Sequence, residues 1–269
     1  SSTFSMQPPM HRRLSTKRQI MKQTIPRGGK VKSLLYTAKS MEKVTVIVPV
    51  KDEEVGLNFL LDDYNGSPLK EIYDIRFIFV IDVRTSDSSK KIALKFSENI
   101  IDQEKTTGKG SAMVQAIDKW KQSPTPKIVF LDADGSYSFE SVIRVLEALG
   151  DGADVVSGSR FLSGNGRPEG MSRLHNFGNR VLSSISSIRN GRRISDLCTG
   201  LWGFNSKSLM AMEIKSKGFD IEAEMAGLVR RKGLNHVEVQ VDWSQRKGGT
   251  SKLRSLTDGF IILLRIIRT

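Results

Sequence analysis

A chain of 269 residues with 38% apolar and 26% charged residues has room for one large domain or two small ones, and its charge fraction is ordinary for a globular fold. The single cysteine, Cys198, excludes an intramolecular disulfide and a cysteine-based zinc site, and it fits a reducing cytoplasm. His11, His175 and His236 are too few and too scattered for a histidine metal cluster. The formal net charge of +13 is concentrated at the start of the chain, where residues 1–40 carry nine cations and no acid. A basic, flexible arm is predicted over 1–41. Such an arm is either simply solvated or drawn to anionic lipid or nucleic acid.

Beyond the arm the pattern becomes regular. The valine-rich run Lys43–Val50 and the run Ile75–Asp82 predict two buried strands. Residues 89–99 place Ile92, Ala93 and Phe96 at helical spacing, and Ile100-Ile101 is a short third strand. Residues 109–121 form a helix with Ala112, Met113, Ala116, Ile117 and Trp120 on one side. The apolar run 127–130 is a fourth strand and ends at LDADGSY (131–137). A helix follows over 141–149, then a strand over 153–157. A helix is predicted over 174–188 with Leu174, Phe177, Val181, Ile185 and Ile188 inward, and another over 219–232. Residues 237–243 alternate as a half-exposed strand. Near-continuous apolar strands alternating with amphipathic helices argue for an α/β fold, with a mostly parallel sheet covered on both faces. The domain is expected over 42–253. The apolar stretch 254–269 is too short to span a bilayer; a core helix, a membrane-surface helix or the start of a membrane segment would each suit it.

Ligands of open α/β sheets bind at the carboxyl ends of the strands. Here those ends carry Lys51, Asp52 and Glu53, then Asp82, then Asp132 and Asp134, then Ser159 and Arg160. Asp132 and Asp134 are two apart, so an extended backbone puts both on one side. Their oxygens suit Mg²⁺ or Mn²⁺ shared with substrate phosphates; the alternative is ordinary Asp-Gly turn chemistry. Gly108-Lys109-Gly110 opens a helix and would let an anion approach its N-terminus, unless it is only a glycine-rich turn. The glycine-containing basic loop 246–252 is either a mobile lid over phosphates or an exposed linker. Neither a P-loop nor a G-x-G-x-x-G pattern occurs.

Taken in order, VIVPVKDEE, VIDVRTSDSS, TGKGSA, LDADGSY, GSRF, SRLHNFGN, SDLCTGLWGFN, FDIEAEM and RKGGTSKL make the chain resemble family 2 glycosyltransferases of the GT-A fold. Within them it is most similar to the dolichyl-phosphate mannose synthase and polyprenyl-phosphate glucosyltransferase branch. The resemblance runs from about Thr45 to the end. It implies a Rossmann-like sheet and transfer of a hexose, with inversion, from GDP-mannose or UDP-glucose to a polyprenyl phosphate. It implies that Pro49, Lys51 and Glu53 line the nucleoside pocket, that Asp82 reaches the base, and that Lys109 lies on the nucleotide side. It further implies that Asp132 and Asp134 hold the divalent cation, that Arg160 and Arg173 face the acceptor phosphate, and that Arg246, Ser251 and Lys252 close over the diphosphate.

Two departures stand out. The family usually reads V-D-D-G-S after the second strand, whereas this chain reads Ile81-Asp82-Val83-Arg84-Thr85. The residues after D-x-D are Gly135-Ser136, which leave the third metal ligand open.

A phosphate acceptor is already ionised near neutral pH and needs no strong base, in keeping with the lack of an obvious catalytic histidine. A saccharide acceptor would need a carboxylate base, and Asp220, Glu222 or Glu224 would be the candidates. The basic arm and the apolar tail both suit a membrane surface, which predicts peripheral association with the cytoplasmic face of a membrane. A nucleic-acid-binding protein is the alternative of another class; terminal clustering of the charge and 7% aromatic content argue against it, so no nucleic-acid partner is expected. A nucleotidyltransferase would need a glycine-rich phosphate loop after the first strand, which is missing.

Overall fold

The computed structural model describes residues 40–103, 108–164, 166–248 and 256–269. Nearly all of the predicted arm lies outside the described residues, as do Ser251 and Lys252. The chain begins β1 (Glu42–Val50), α1 (Glu54–Gly66), α2 (Leu69–Ile72), β2 (Tyr73–Ile81), α3 (Ser89–Phe96), β3 (Ile100–Asp102), α4 (Lys109–Lys121) and β4 (Lys127–Leu131). It continues α5 (Phe139–Gly150), β5 (Val155–Ser159), α6 (Arg173–Asn190), β6 (Leu201–Asn205), α7 (Ser206–Ala211), α8 (Ile221–Arg231), β7 (His236–Gln240) and α9 (Thr257–Arg268).

Seven described strands form one sheet in the order β3-β2-β1-β4-β6-β5-β7. Pairings β1–β2, β1–β4, β2–β3 and β5–β7 are parallel. The short strand β6 runs antiparallel between β4 and β5, with Phe130 opposite Trp202 and Val155 opposite Phe204. The predicted parallel sheet is therefore interrupted once. The reversal brings the 195–200 segment back to the carboxyl end of β4, where Asp132 N–H donates to the Gly200 carbonyl at 3.2 Å.

Side-chain alternation divides the core between the two faces of the sheet. Val44, Val46, Val48 and Val50 of β1 pack with Leu57, Leu60, Ile92, Val142 and Leu146 of α1, α3 and α5. Ile47, Ile78, Val80, Ile128 and Phe130 pack on the other face with Met113 and Trp120 of α4, Met225 and Leu228 of α8, and Ile262 and Ile266 of α9. Each fully buried side chain of this size contributes about 1.5–3 kcal/mol. The helices thus hold the strand ends rigidly, and the loops at those ends are free to carry polar groups.

Two sequence expectations need correction. The helix over 174–188 exists as α6, but Leu174, Phe177, Val181 and Ile188 are exposed, while Asn179, Ser183, Ser186 and Asn190 are buried. Periodicity shows that a helix has an apolar stripe but not which side meets the protein. The strand predicted to reach Trp243 stops at Gln240, because Trp243 leaves the edge to bridge Tyr137.

Candidate active site

The ends of β1, β2 and β4 and the starts of α1, α4 and α8 meet on one rim of the sheet. After β1 the backbone turns sharply at Asp52, the only non-glycine among the described residues with positive φ, at 48°. Aspartate tolerates this region better than most residues, and the Asp52 carboxylate accepts from Ser86 N–H at 2.8 Å, which holds the turn. Glu53 is thereby aimed inward. The first turn of α1 then passes against the end of β4. A side chain at Gly56 would strike the backbone of Ala133 and Asp134, so only glycine lets α1 approach that segment.

The two aspartates after β4 share the open side of the segment, while Ala133 between them is buried. Asp132 Oδ1 meets Lys109 Nζ at 2.7 Å, and the same ammonium meets Glu222 Oε1 at 2.7 Å. Asp134 accepts from Ser136 N–H at 3.0 Å and from Ser136 Oγ–H at 2.5 Å, and pairs with Arg246 Nη2 at 3.2 Å. Arg246 Nη1 donates to both oxygens of Glu53 at 2.7 and 2.6 Å. Four carboxylates from β1, β4 and α8 are thus linked through two cations.

The electrostatics follow from this geometry. Burial opposes the Lys109 charge, yet Asp132 and Glu222 hold its pKa above the ordinary lysine value. Burial pushes the Glu222 carboxyl up, with Lys109 acting in the opposite direction. Burial likewise opposes the Arg246 charge, which Glu53 and Asp134 more than restore.

At the end of β2, Asp82 is closed into a two-point pair by Arg84: Nε to Oδ1 at 2.8 Å and Nη2 to Oδ2 at 2.7 Å. That hydrogen bonding holds its carboxyl below the usual range, and Lys51 adds to the effect. The departure from the D-D-G-S pattern therefore has a structural consequence, because Arg84 neutralises the remaining aspartate. Pro49 stands one step earlier in β1, paired with Val80.

Arg160, at the end of β5, forms a fork with the buried Asp196, Nε to Oδ2 at 2.6 Å and Nη2 to Oδ1 at 2.6 Å. It also donates to the Cys198 carbonyl at 2.9 Å. Asn179 of α6 donates to the same Asp196 at 2.7 Å. Tyr137 joins this layer, accepting from Gly200 N–H at 2.9 Å, and burial pushes its hydroxyl up to about 12. Arg173 is exposed at the first position of α6 and has no ion pair with this cluster.

Sequence reasoning did not assign roles to Asp196, Asn179, Tyr137 or Arg84. Asp196 lay in the quoted SDLCTG motif, and an acid amid small residues after a helix was the available signal.

Of the three acids at the start of α8, Asp220 pairs with Arg265 of α9 at 2.7 Å, and Glu224 accepts from Lys215 and Ser216 N–H at 3.0 and 2.7 Å. Only Glu222 faces the D-x-D segment. No group of three or more His, Cys, Asp or Glu suited to a metal occurs among the described residues. The donor set still fits Mg²⁺ or Mn²⁺, since such ions are commonly held by one or two carboxylates with substrate phosphates and water completing the shell. Gly200 supports this fit, because any side chain there would occupy the position of the Asp132 carboxylate.

An α/β sheet with acidic and basic groups at the carboxyl ends of its central strands places the ligand site at that rim. The glycosyl transferase family 2 model matches residues 45–212, and the chain belongs to that family. It is 28% identical over 228 residues to glycosyltransferase AglJ of Haloferax volcanii, covering 84% of this chain and 72% of that one. It is 28% identical over 232 residues to the dolichyl-phosphate hexose transferase of the same organism, covering 86% and 96%. It is 27% identical over 226 residues to the dolichol-phosphate mannosyltransferase of Pyrococcus furiosus, covering 80% and 60%. Among solved structures it is similar to glucosyl-3-phosphoglycerate synthase of Mycobacterium tuberculosis with phosphoglyceric acid, at TM-score 0.66, 16% identity and coverage of 84% and 79%. The complex of that enzyme with Mn²⁺, UDP and phosphoglyceric acid gives TM-score 0.63 at 15% identity, covering 84% and 76%. The chain is thus a family 2 glycosyltransferase, similar to proteins named for hexose transfer to dolichyl phosphate.

Proposed function

We propose that this enzyme transfers a hexose from a nucleotide sugar, GDP-mannose or UDP-glucose, to the phosphate of a polyprenyl phosphate such as dolichyl phosphate. The observation that carries the reading is the Asp132–Lys109–Glu222 and Asp134–Arg246–Glu53 cluster at the end of β4. Relatives whose names specify hexose transfer to dolichyl phosphate support the acceptor class.

Asp132 and Asp134 would hold Mg²⁺ or Mn²⁺, which when bound neutralises charge on the leaving diphosphate. With those two carboxylates so occupied, Lys109 and Arg246 can turn their donors to diphosphate oxygens. Pro49, Lys51 and Glu53 line the nucleoside side, where Asp82 with Arg84 offers a neutralised pair to the base. Arg246 adds its donors on the diphosphate side; the closing role that the resemblance gives Ser251 and Lys252 falls on residues outside the described ones.

Arg173, exposed at the start of α6, receives the acceptor phosphate in this reading. Arg160 acts through Asp196, holding the 196–200 segment beneath Asp132. An acceptor phosphate oxygen attacks the anomeric carbon as its bond to the diphosphate breaks, so the configuration inverts. The acceptor is mostly dianionic near neutral pH, its second pKa being about 6, and it needs no proton removed. Glu222 therefore serves to position Lys109. A saccharide acceptor would instead require Glu222 as base, and its raised pKa is the observation in favour of that second reading. Association with the membrane that carries the acceptor is part of this proposal; no helix among the described residues is long and apolar enough to cross one.

The test is transfer of labelled hexose from each donor to polyprenyl phosphate with and without Mn²⁺, alongside thermal stabilisation by GDP and UDP in wild type and Asp134→Asn. A nucleotide shift that needs Mn²⁺ and vanishes in the variant is expected, since a ligand stabilises the state it binds. Transfer to a free saccharide but not to a lipid phosphate would establish the second reading.

A further inference from the structure

Helix α6 has its faces inverted relative to an ordinary surface helix. At 100° per residue, Leu174, Phe177, Val181 and Ile188 fall within an arc of about 60°. Asn179, Ser183, Ser186 and Asn190 fall within a similar arc on the opposite side. The structure buries the second set and exposes the first: Phe177 is 67% and Ile188 84% exposed.

The buried polar face is tied to the protein chiefly through Asn179 and Ser183. Asn179 donates to Asp196 and accepts from Cys198 N–H; Ser183 Oγ accepts from Leu197 N–H; Asn190 donates to Ser186. The helix therefore cannot roll to hide its apolar stripe without breaking the network that also holds Arg160. A contiguous exposed apolar stripe on a fixed helix marks a surface made for a nonpolar partner.

Charge identifies that partner. Helix α6 carries Arg173, Arg180 and Arg189 and no acid. All three are exposed, Arg173 and Arg180 along one flank of the stripe and Arg189 along the other. A band of apolar side chains between rows of cations matches a bilayer bearing anionic headgroups, with acyl chains for the stripe and phosphates for the flanks. Helix α9 packs beside α6 and exposes Phe260, Ile261 and Ile267, which enlarges the apolar area.

We propose that the outer face of α6, with α9 beside it, is the surface by which the enzyme seats on an anionic lipid bilayer. Its inner face is bonded to Asp196 and hence to Arg160, so the acceptor side of the active site lies about one helix diameter, roughly 10 Å, from the lipid. This inference extends the polyprenyl-phosphate reading by naming the contact surface, and it adds α6 to the sequence expectation, which placed membrane contact in the basic arm and the tail.

The test uses the full chain and the variant Phe177→Glu/Ile188→Glu, whose side chains are exposed and lie outside the catalytic machinery. Flotation is measured with vesicles of equimolar phosphatidylcholine and phosphatidylglycerol, and with phosphatidylcholine alone. Wild type is expected to float with the anionic vesicles and to release in high salt. The variant is expected to lose at least about tenfold in partitioning with an unchanged thermal midpoint, since two apolar anchors are replaced by charges that phosphates repel. Arg180→Gln/Arg189→Gln, which leaves the stripe intact, is expected to lower binding to anionic vesicles alone.

Undiminished flotation of the glutamate variant would overturn the proposal and return membrane contact to the basic arm. A wild type that fails to float and elutes as a dimer, which the glutamate variant splits, would overturn it in favour of a second copy of the chain. A parallel transfer assay with a short, water-soluble prenyl phosphate separates the two proposals. The glutamate variant should keep that activity while losing activity on long-chain acceptor in vesicles. Flotation without transfer to any prenyl phosphate would remove the acceptor reading and leave the docking surface standing.

Discussion

Arg160→Met is expected to destabilise the enzyme far more than loss of a surface charge. The Asp196 side chain has no exposed surface, and the substitution removes the two-point partner that meets it at 2.6 Å on each oxygen. Only Asn179 Nδ2 and the backbone N–H of residue 160 would remain on that carboxylate. Removing one member of a buried ion pair costs about 3–5 kcal/mol, against about 0–1 kcal/mol for an exposed pair. The surviving bonds and the 11% exposure of the Arg160 side chain place the expected loss at the lower end, about 3 kcal/mol. In a chain of this size that lowers the thermal midpoint by about 10 °C.

The measurement is urea and thermal unfolding without nucleotide or metal, so that any role in ligand binding does not enter. Arg160→Lys retains the charge but not the fork and should fall between the two. The double variant Arg160→Met/Asp196→Asn should be more stable than the sum of the single losses predicts, by at least about 1 kcal/mol, because the uncompensated buried charge is gone. A single-variant loss below about 1 kcal/mol, or strict additivity in the double, would refute the reasoning and leave Arg160 available to a ligand.

Three further outcomes are expected. Gly200→Ala places a methyl group where the Asp132 carboxylate lies, so Mn²⁺-dependent nucleotide binding should weaken at least about tenfold by calorimetry, and an unchanged affinity would remove Asp132 from the metal site. Arg246→Gln frees Asp134 and Glu53 from a competing cation, so binding of Mn²⁺ alone should tighten while stability without metal falls by about 1–2 kcal/mol; weaker Mn²⁺ binding would contradict this. His236, stacked on Trp202 with its Nε2 2.8 Å from Ser157 Oγ, has its pKa pushed down to about 3 by burial and by Arg192. The native state then resists taking up its proton. Its contribution to stability is complete above the unfolded histidine value of about 6.5 and is lost as pH falls from there toward 3. An imidazole NMR titration showing an inflection near pH 6.5 in the folded protein would count against this.

Much of the fold was legible because buried strands and amphipathic helices write their period directly into local sequence. Val44, Val46, Val48 and Val50 alternate with Ile47 because two different helical layers must be met, and that requirement acts within a few residues. The D-x-D pair was legible for a similar reason, since two acids at the end of an apolar strand need a cation from somewhere.

The sequence alone could not settle which cation each acid meets. Lys109 reaches Asp132 from another helix, Arg246 reaches Glu53 across nearly 200 residues of chain, and Arg84, next to the Val83 that stands where the family pattern has its second aspartate, folds back on Asp82. Such pairings depend on where loops converge, and no local period records them. β6 was missed on the same ground. It is five residues long and lies in a motif-rich stretch, and only its neighbours β4 and β5 require it to run antiparallel.

Helix α6 marks the division most clearly. Sequence by itself determined that residues 174–188 form a helix with one apolar stripe, because spacing along a helix is a local property. Only the tertiary structure decided that the stripe faces outward. Burial is set by what packs against a face, and here the Asp196 network bonds to Asn179 and draws the polar side in.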